Sequence, residues 1–219
     1  MNTWDWDFVW EILPALLVGL GRTVFATVLG TLVALILGLI WAMACRSSWR
    51  PLALAARWTL HGIRSTPLLI QLYIVFYLGP KVGLSLSPMV AGIITLGIHY
   101  GSYAAEIYRA GIEGVERGQV EAAQALSLNG WQRFRLIVLP QALPPSIPAL
   151  GNLLVAMFKD APLLSAITVV EVLRVAKMIG SETFRYLEPM TMVGVLFLIV
   201  SLIAVIPIRW LERRYRGGA

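Results

Sequence analysis

The sequence predicts an all-α integral membrane protein of about five transmembrane helices, N-terminus outside, C-terminus cytoplasmic, with a short docking helix on the cytoplasmic surface. Three observations predict it. Apolar residues make up 58% of the chain and charged ones 14%, where a soluble domain carries about a quarter charged. Five stretches hold no Asp, Glu, Lys or Arg: Thr23–Cys45, Ser65–Pro80, Val82–Ala105, Leu136–Phe158 and Pro189–Ile208. The net charge of +6 is also unevenly placed. Arg46, Arg50, Arg57 and Arg64 fall in the first loop. Arg109, Arg117, Arg133 and Arg135 fall in the central loop, and Arg209, Arg213, Arg214 and Arg216 at the C-terminus. The other side carries Asp5, Asp7 and Glu11, with Lys81 between the second and third spans. The positive-inside rule then sets the orientation. Charge placed this way reads as membrane topology rather than as a nucleic-acid surface.

The N-terminal stretch MNTWDWDFVWEILP is acidic and lacks the basic flank of a cleavable signal. Its Trp4, Trp6 and Trp10 suit an interfacial belt. The first span is expected from near Leu13 to about Ala44, with Gly19, Gly21, Gly30 and Gly38 giving small-residue faces for close helix packing. Arg22 either snorkels to the outer surface or faces a partner. Arg46 to Arg64 forms an amphipathic connection anchored by Trp49 and Trp58. Ser65–Pro80 falls short of the ~20 residues a span needs, so it borrows flanking residues or is partly re-entrant. Thr66-Pro67 marks a helix start there, because proline is tolerated in a first turn. Arg64 is positioned to hold a carboxylate or a lipid phosphate.

The third span, about Pro88 to Arg109, is the most polar. His99 and Glu106 are seven residues apart and share a helical face, with Ser102 and Tyr103 between them. Glu106 either lines a path through the bundle or pairs with a nearby arginine at the boundary. Gln119 to Pro140 is the one long stretch that is not membrane-like. Its small residues and narrow apolar face suit a docking helix, with Gly118 and Asn129-Gly130 supplying turns at its ends. Pro140, Pro144, Pro145 and Pro148 predict a kinked or broken fourth span. Lys159-Asp160 reads either as a functional pair or as a self-neutralising one. Ala161–Val170 is too brief to span; if it crossed, the topology would change parity. Thr168–Leu187 reads as an amphipathic helix on the outer surface. The last span runs from about Pro189 to Trp210 and ends in a basic anchor, Arg209 to Arg216.

The chain reads as a single membrane domain, 1–219. It holds no G-x-x-x-x-G-K-[ST] phosphate loop. No Ser-His-Asp set or paired acid has catalytic spacing, and His61 and His99 stand apart, so neither an enzyme nor a metal site is expected. Cys45 is the single cysteine, which leaves no internal disulfide.

The central stretch carries a resemblance. Glu121-Ala122-Ala123, three residues, Ser127, nine residues, then Ile137-Val138-Leu139-Pro140 resembles the EAA-x3-G-x9-I-x-L-P pattern of the permease subunits of bacterial ABC importers, with Ser127 in place of glycine. Arg64-Ser65-Thr66-Pro67-Leu68-Leu69-Ile70-Gln71-Leu72 is similar to the R-G-T-P-L-L-x-Q-L segment of their polar amino acid branch, the histidine/glutamine type. Asn152, Lys159 and Asp160 match its N-x6-K-D-T-S-L segment, while Ala161 and Pro162 replace Thr and Ser. The likeness runs from the first span to Glu212-Arg213-Arg214.

The resemblance implies an inner-membrane permease working by alternating access, paired with an identical or sister permease. It implies two cytoplasmic P-loop ATPase subunits, which bind the ATP, and an extracytoplasmic solute-binding protein. The coupling region would be 113–135, with Gly118, Gln119, Glu121, Ala122, Ala123, Leu126 and Ser127 at the ATPase. Arg64, Gln71, His99, Glu106, Asn152, Lys159 and Asp160 are the candidate translocation path or gate. The solute would be a polar amino acid, or an ectoine-like zwitterion, since Lys159-Asp160-Ala161-Pro162 resembles permeases for such compatible solutes. The competing reading is a secondary transporter or channel without an ATPase. It leaves the full EAA spacing unexplained, and no inverted sequence repeat supports it.

Overall fold

The structure is a computed structural model that describes residues 4–216, with side chains to residue 213. Met1–Thr3, and the side chains of Arg214 and Arg216 in the expected basic anchor, lie outside the described residues. Every regular element among the described residues is helical.

Helix α1 spans Trp6–Cys45, seven residues earlier than the sequence suggests. Asp5 explains the shift: its carboxylate accepts from the amides of Asp7 and Phe8 and caps the helix there. At about 1.5 Å per residue these 40 residues reach about 60 Å, roughly twice a hydrocarbon core. Its buried face is a ladder of small residues, among them Gly19, Thr23, Ala26, Gly30, Ala34 and Gly38. A Cβ on Gly38 would meet that of Ala104 at 2.6 Å, and one on Gly30 would meet Met157 Sδ at 3.0 Å. Gly21, expected on the same kind of face, has open space around it. The buried hydroxyls of Thr23 and Thr27 donate one turn back, to the carbonyls of Gly19 and Thr23, so polar atoms sit in the apolar core without a desolvation penalty.

Helix α2, Arg50–Ser65, lays Ala53, Ala56 and Leu60 against the bundle. It stops where Thr66 turns extended ahead of Pro67. Helix α3, Leu68–Tyr73, continues through a π turn, Ile74–Leu78, and a 3-10 turn, Gly79–Val82. Helix α4, Pro88–Glu113, is capped by Ser87 and packs along α1 through Gly97 and Gly101 as well as Ala104.

Two short helices follow, α5 at Arg117–Ala125 and α6 at Gly130–Arg133. Gly118, expected to turn the chain before α5, lies inside its first turn instead. A π turn, Phe134–Val138, leads into α7, Leu139–Asp160. This helix is not broken. Pro140 follows directly on the π turn, where Leu139 N–H reaches back five residues to Phe134 O. Pro144, Pro145 and Pro148 remain helical while α4 and α9, Leu187–Arg216, pack against the segment. Ala161–Ile167 winds into a buried 3-10 turn that ends at Thr168, φ 67°.

Helix α8 is shorter than expected, Val172–Thr183. Glu171 is fully buried and caps it by accepting from the amides of Leu173 and Arg174, so one charge read as surface-facing is structural. Burial raises its carboxyl to about 7, against the pull of those two amides. Arg185 ties the start of α1 to the start of α9, pairing with Asp5 (3.1 Å) and with the buried Glu188.

Among the described residues three helices are long and apolar enough to cross a membrane: Trp6–Cys45, Gly130–Ile167 and Leu187–Arg213. Leu68–Val82 is apolar but shorter, and α4 is long enough yet more polar.

Candidate functional site

The polar residues of α4 and α7 converge on a cavity of about 540 Å³. From α4 come His99, Tyr103 and Glu106, at i, i+4 and i+7. From α7 come Ala149, Asn152, Ala156 and Asp160, one face at helical spacing. Four of the seven path residues expected from the sequence therefore line one space: His99, Glu106, Asn152 and Asp160.

Each is held differently. Gln71, on α3, donates from Nε2 to the carbonyls of Ile63 (2.6 Å) and Thr66 (2.9 Å), bracing the break between α2 and α3. Its Oε1 is thereby an acceptor and lies 3.2 Å from His99 Nδ1, which makes Nδ1 the protonated nitrogen. Nε2 remains the second, unbonded site of that ring. Tyr100 donates to Asp160 Oδ2 at 2.6 Å, fixing the carboxylate across the α4–α7 seam. Tyr100 and Tyr103 each stand 5.4 Å from the His99 ring, between centroids. Asn152 is exposed on the cavity wall with no hydrogen-bond partner.

Arg64 meets Glu106 at 3.1 Å, so its carboxylate partner lies in the same chain. Arg109 joins from the other side, 2.7 Å from Glu106 and 2.7 Å from Glu113. This chain of four charges meets the cavity wall at Glu106 and ties the C-terminal turn of α2 to α4. Lys159 is exposed and forms no ion pair with Asp160, so of the two readings of Lys159-Asp160 the self-neutralising one is not seen. Tyr100 was missed at the sequence level, and Tyr103 was noted between His99 and Glu106 without being placed among the path residues. The i, i+4, i+7 spacing of 99, 103 and 106 was the available signal for Tyr103.

The second candidate surface is α5 and α6. Helix α5 ends in a Schellman motif: Leu128 N–H donates to Ala123 O (3.2 Å) and Ser127 N–H to Gln124 O (2.9 Å). Ser127 takes the left-handed conformation this requires, φ 57°, where glycine is the usual residue. Asn129 and Gln132 then start α6 with a reciprocal capping box. The turn presents Leu126, 75% exposed, together with exposed Gln119, Glu121 and Ala122. Ala123 corrects the expectation that both alanines offer close approach to a partner. It is 2% exposed and faces its own chain.

Among the described residues no three metal-ligating side chains come together. Residues 34–217 match the family described as "Binding-protein-dependent transport system inner membrane component". The "Probable amino-acid ABC transporter permease protein y4tG" of Sinorhizobium fredii is 44% identical over 92% of this chain and 90% of its own. The "Glutamine transport system permease protein GlnP" of Escherichia coli is 33% identical over 97% and 98%. Among solved structures, the crystal structure of an amino acid ABC transporter with histidines superposes with a TM-score of 0.90, at 33% identity, covering 97% of this chain and all of that one. The MetNI methionine ABC transporter, in an inward-facing form, reaches 0.70 at 20% identity over 99% of this chain and all of that one, which is likeness of fold alone.

Proposed function

The chain belongs to the family of binding-protein-dependent transport system inner membrane components, and from that membership we propose that it is the permease subunit of an ATP-driven importer of polar amino acids or amino-acid-like zwitterions. The observation that carries the reading is the α4–α7 cavity, which collects His99, Asn152 and Asp160 in one space. A zwitterion needs an anion for its ammonium and donors for its carboxylate. Asp160, oriented by Tyr100, supplies the first. The Asn152 amide supplies the second, and His99 Nε2, unprotonated in the neutral ring, is a further acceptor for the ammonium.

Five spans place the arginine-rich ends in the cytoplasm. There α5 and α6 meet a separate P-loop ATPase subunit, which binds the ATP. Leu126 enters a pocket of that partner, Glu121 pairs with a basic or donor group, and Ala122 allows close approach. ATP-driven closure of the ATPase dimer is transmitted through the π turn Phe134–Val138 into α7 and its cavity wall. A second permease, identical or sister, completes the path, and an external binding protein delivers the solute. Ectoine-like solutes form a subset of this class.

The test is uptake of labelled amino acids and of ectoine by cells carrying Asp160→Asn. The carboxylate charge is lost while the tyrosine keeps an acceptor, so uptake should fall at least tenfold, on the order of the 1.4 kcal/mol or more that one charged contact carries, with ATPase association intact. Uptake equal to wild type for every such solute would remove the cavity from the pathway.

A further inference from the structure

A second cavity, of about 630 Å³, lies at the basic end of the bundle, between the C-terminal turns of α1 and α4 and one flank of α2. Arg46, Arg57, Arg64, Arg109 and His61 line it, and its acidic groups are Glu106 and Glu113. The carboxylates do not neutralise this wall. Glu106 is taken by Arg64 and Arg109, and Glu113 by Arg109. Arg57 donates only to the Cys45 carbonyl, at 3.3 Å, and Arg46 has no ion-pair partner. Four guanidinium groups against two carboxylates leave two positive charges facing one concave space, which favours an anion. The planar donor fork of arginine suits a phosphate.

The neighbouring surface selects which phosphate. Helix α2 carries Arg50, Arg57 and Arg64 at intervals of seven residues, with no acidic residue. Beside that stripe Leu54 and Trp58 stand exposed, and Trp49 precedes the helix, exposed as well. Trp58 meets the ring of His61 edge-on at 6.4 Å, so the cavity wall runs into the exposed apolar face. A soluble anion gains nothing from those apolar side chains. A phospholipid does, because an amphipathic helix with a basic flank lies at the level of the headgroups.

We infer that this cavity binds the phosphate of an anionic phospholipid, with the acyl chains along Leu54 and Trp58. The inference needs family membership only for the presence of a bilayer. It is measured without ATPase or solute, so it stands or fails apart from the transport reading.

The full chain would be purified in phosphatidylcholine nanodiscs containing graded phosphatidylglycerol, and retained lipid counted by native mass spectrometry. Wild type should retain phosphatidylglycerol in preference to phosphatidylcholine, and millimolar inorganic phosphate should not displace it. Arg46→Gln with Arg57→Gln should weaken retention on the order of tenfold, since each basic group near a bilayer surface contributes severalfold. Arg57→Lys should restore part of it, which separates lost binding from lost folding. Arg50→Gln, on the same helix but outside the lining, should change it far less. Equal retention of both lipids, an unchanged double variant, an equal loss in Arg50→Gln, or displacement by phosphate alone would each overturn the proposal. So would a Trp58→Ser variant that loses self-association but keeps its lipid, because that would seat a second copy of the chain on this face.

Discussion

Ser127 shows how one side chain can strain a turn. Its left-handed φ of 57° closes the Schellman turn after α5, and a Cβ in that region costs about 1–2 kcal/mol relative to glycine. Ser127→Gly should therefore stabilise the protein by about 1 kcal/mol, read as a higher unfolding midpoint in detergent; a lower midpoint would contradict the assignment. Glu171 gives a pH signature. It lies outside the candidate spans, and its folded value of about 7 is above the ordinary 4.5. From about 4.5 to about 7 the unfolded chain has released this proton while the folded chain holds it, so rising pH lowers stability across that window and not above it. Glu171→Gln removes the titration and retains a capping oxygen. Its stability relative to wild type should rise between pH 5 and 7 and then level off; a difference independent of pH would contradict the buried carboxyl. Neither feature was legible beforehand. The motif marked Ser127 as a departure without giving its φ, and Glu171 looked like any charge on an amphipathic helix.

At the scale of elements, the α1–α4 contact is made by absence of side chains. Gly38 leaves 2.6 Å between a hypothetical Cβ and that of Ala104, so Gly38→Ala must push two packed helices apart. Overpacking of this kind costs about 1–3 kcal/mol, and the variant should unfold earlier by that amount, whereas Gly21→Ala, in open space, should be neutral or slightly stabilising. Equal effects at the two sites would refute the close packing. The small residues were visible in the sequence, but which of the four faced a neighbour depends on the rotation of α1. The proline-rich α7 illustrates the opposite case. Local propensity favoured a kink or a break, and no break formed where two neighbouring helices flank the segment. Helix α4 was read correctly as the polar one, because His99 and Glu106 share a face that a spanning helix would otherwise keep apolar.

Across the whole molecule, the polar cavity and the α5–α6 surface sit at opposite ends of one continuous path through the π turn and α7. Apolar composition and the charge-free stretches were enough to give an all-helical membrane chain, and the EAA spacing enough to indicate its family. Sequence could not say that Ala123 turns inward while Leu126 turns outward, because helix rotation is set by Ile112, Val138 and Phe134 packing beneath. The central claim is that this outward face couples the chain to an ATPase. The most direct measurement is co-purification of the full chain with a co-expressed candidate P-loop ATPase, comparing wild type, Glu121→Lys and Leu126→Asp. The account predicts a stable complex for wild type and at least a tenfold loss in each variant, since a central apolar anchor or charged contact typically carries about 2 kcal/mol or more. Undiminished capture of the ATPase by both variants would contradict it.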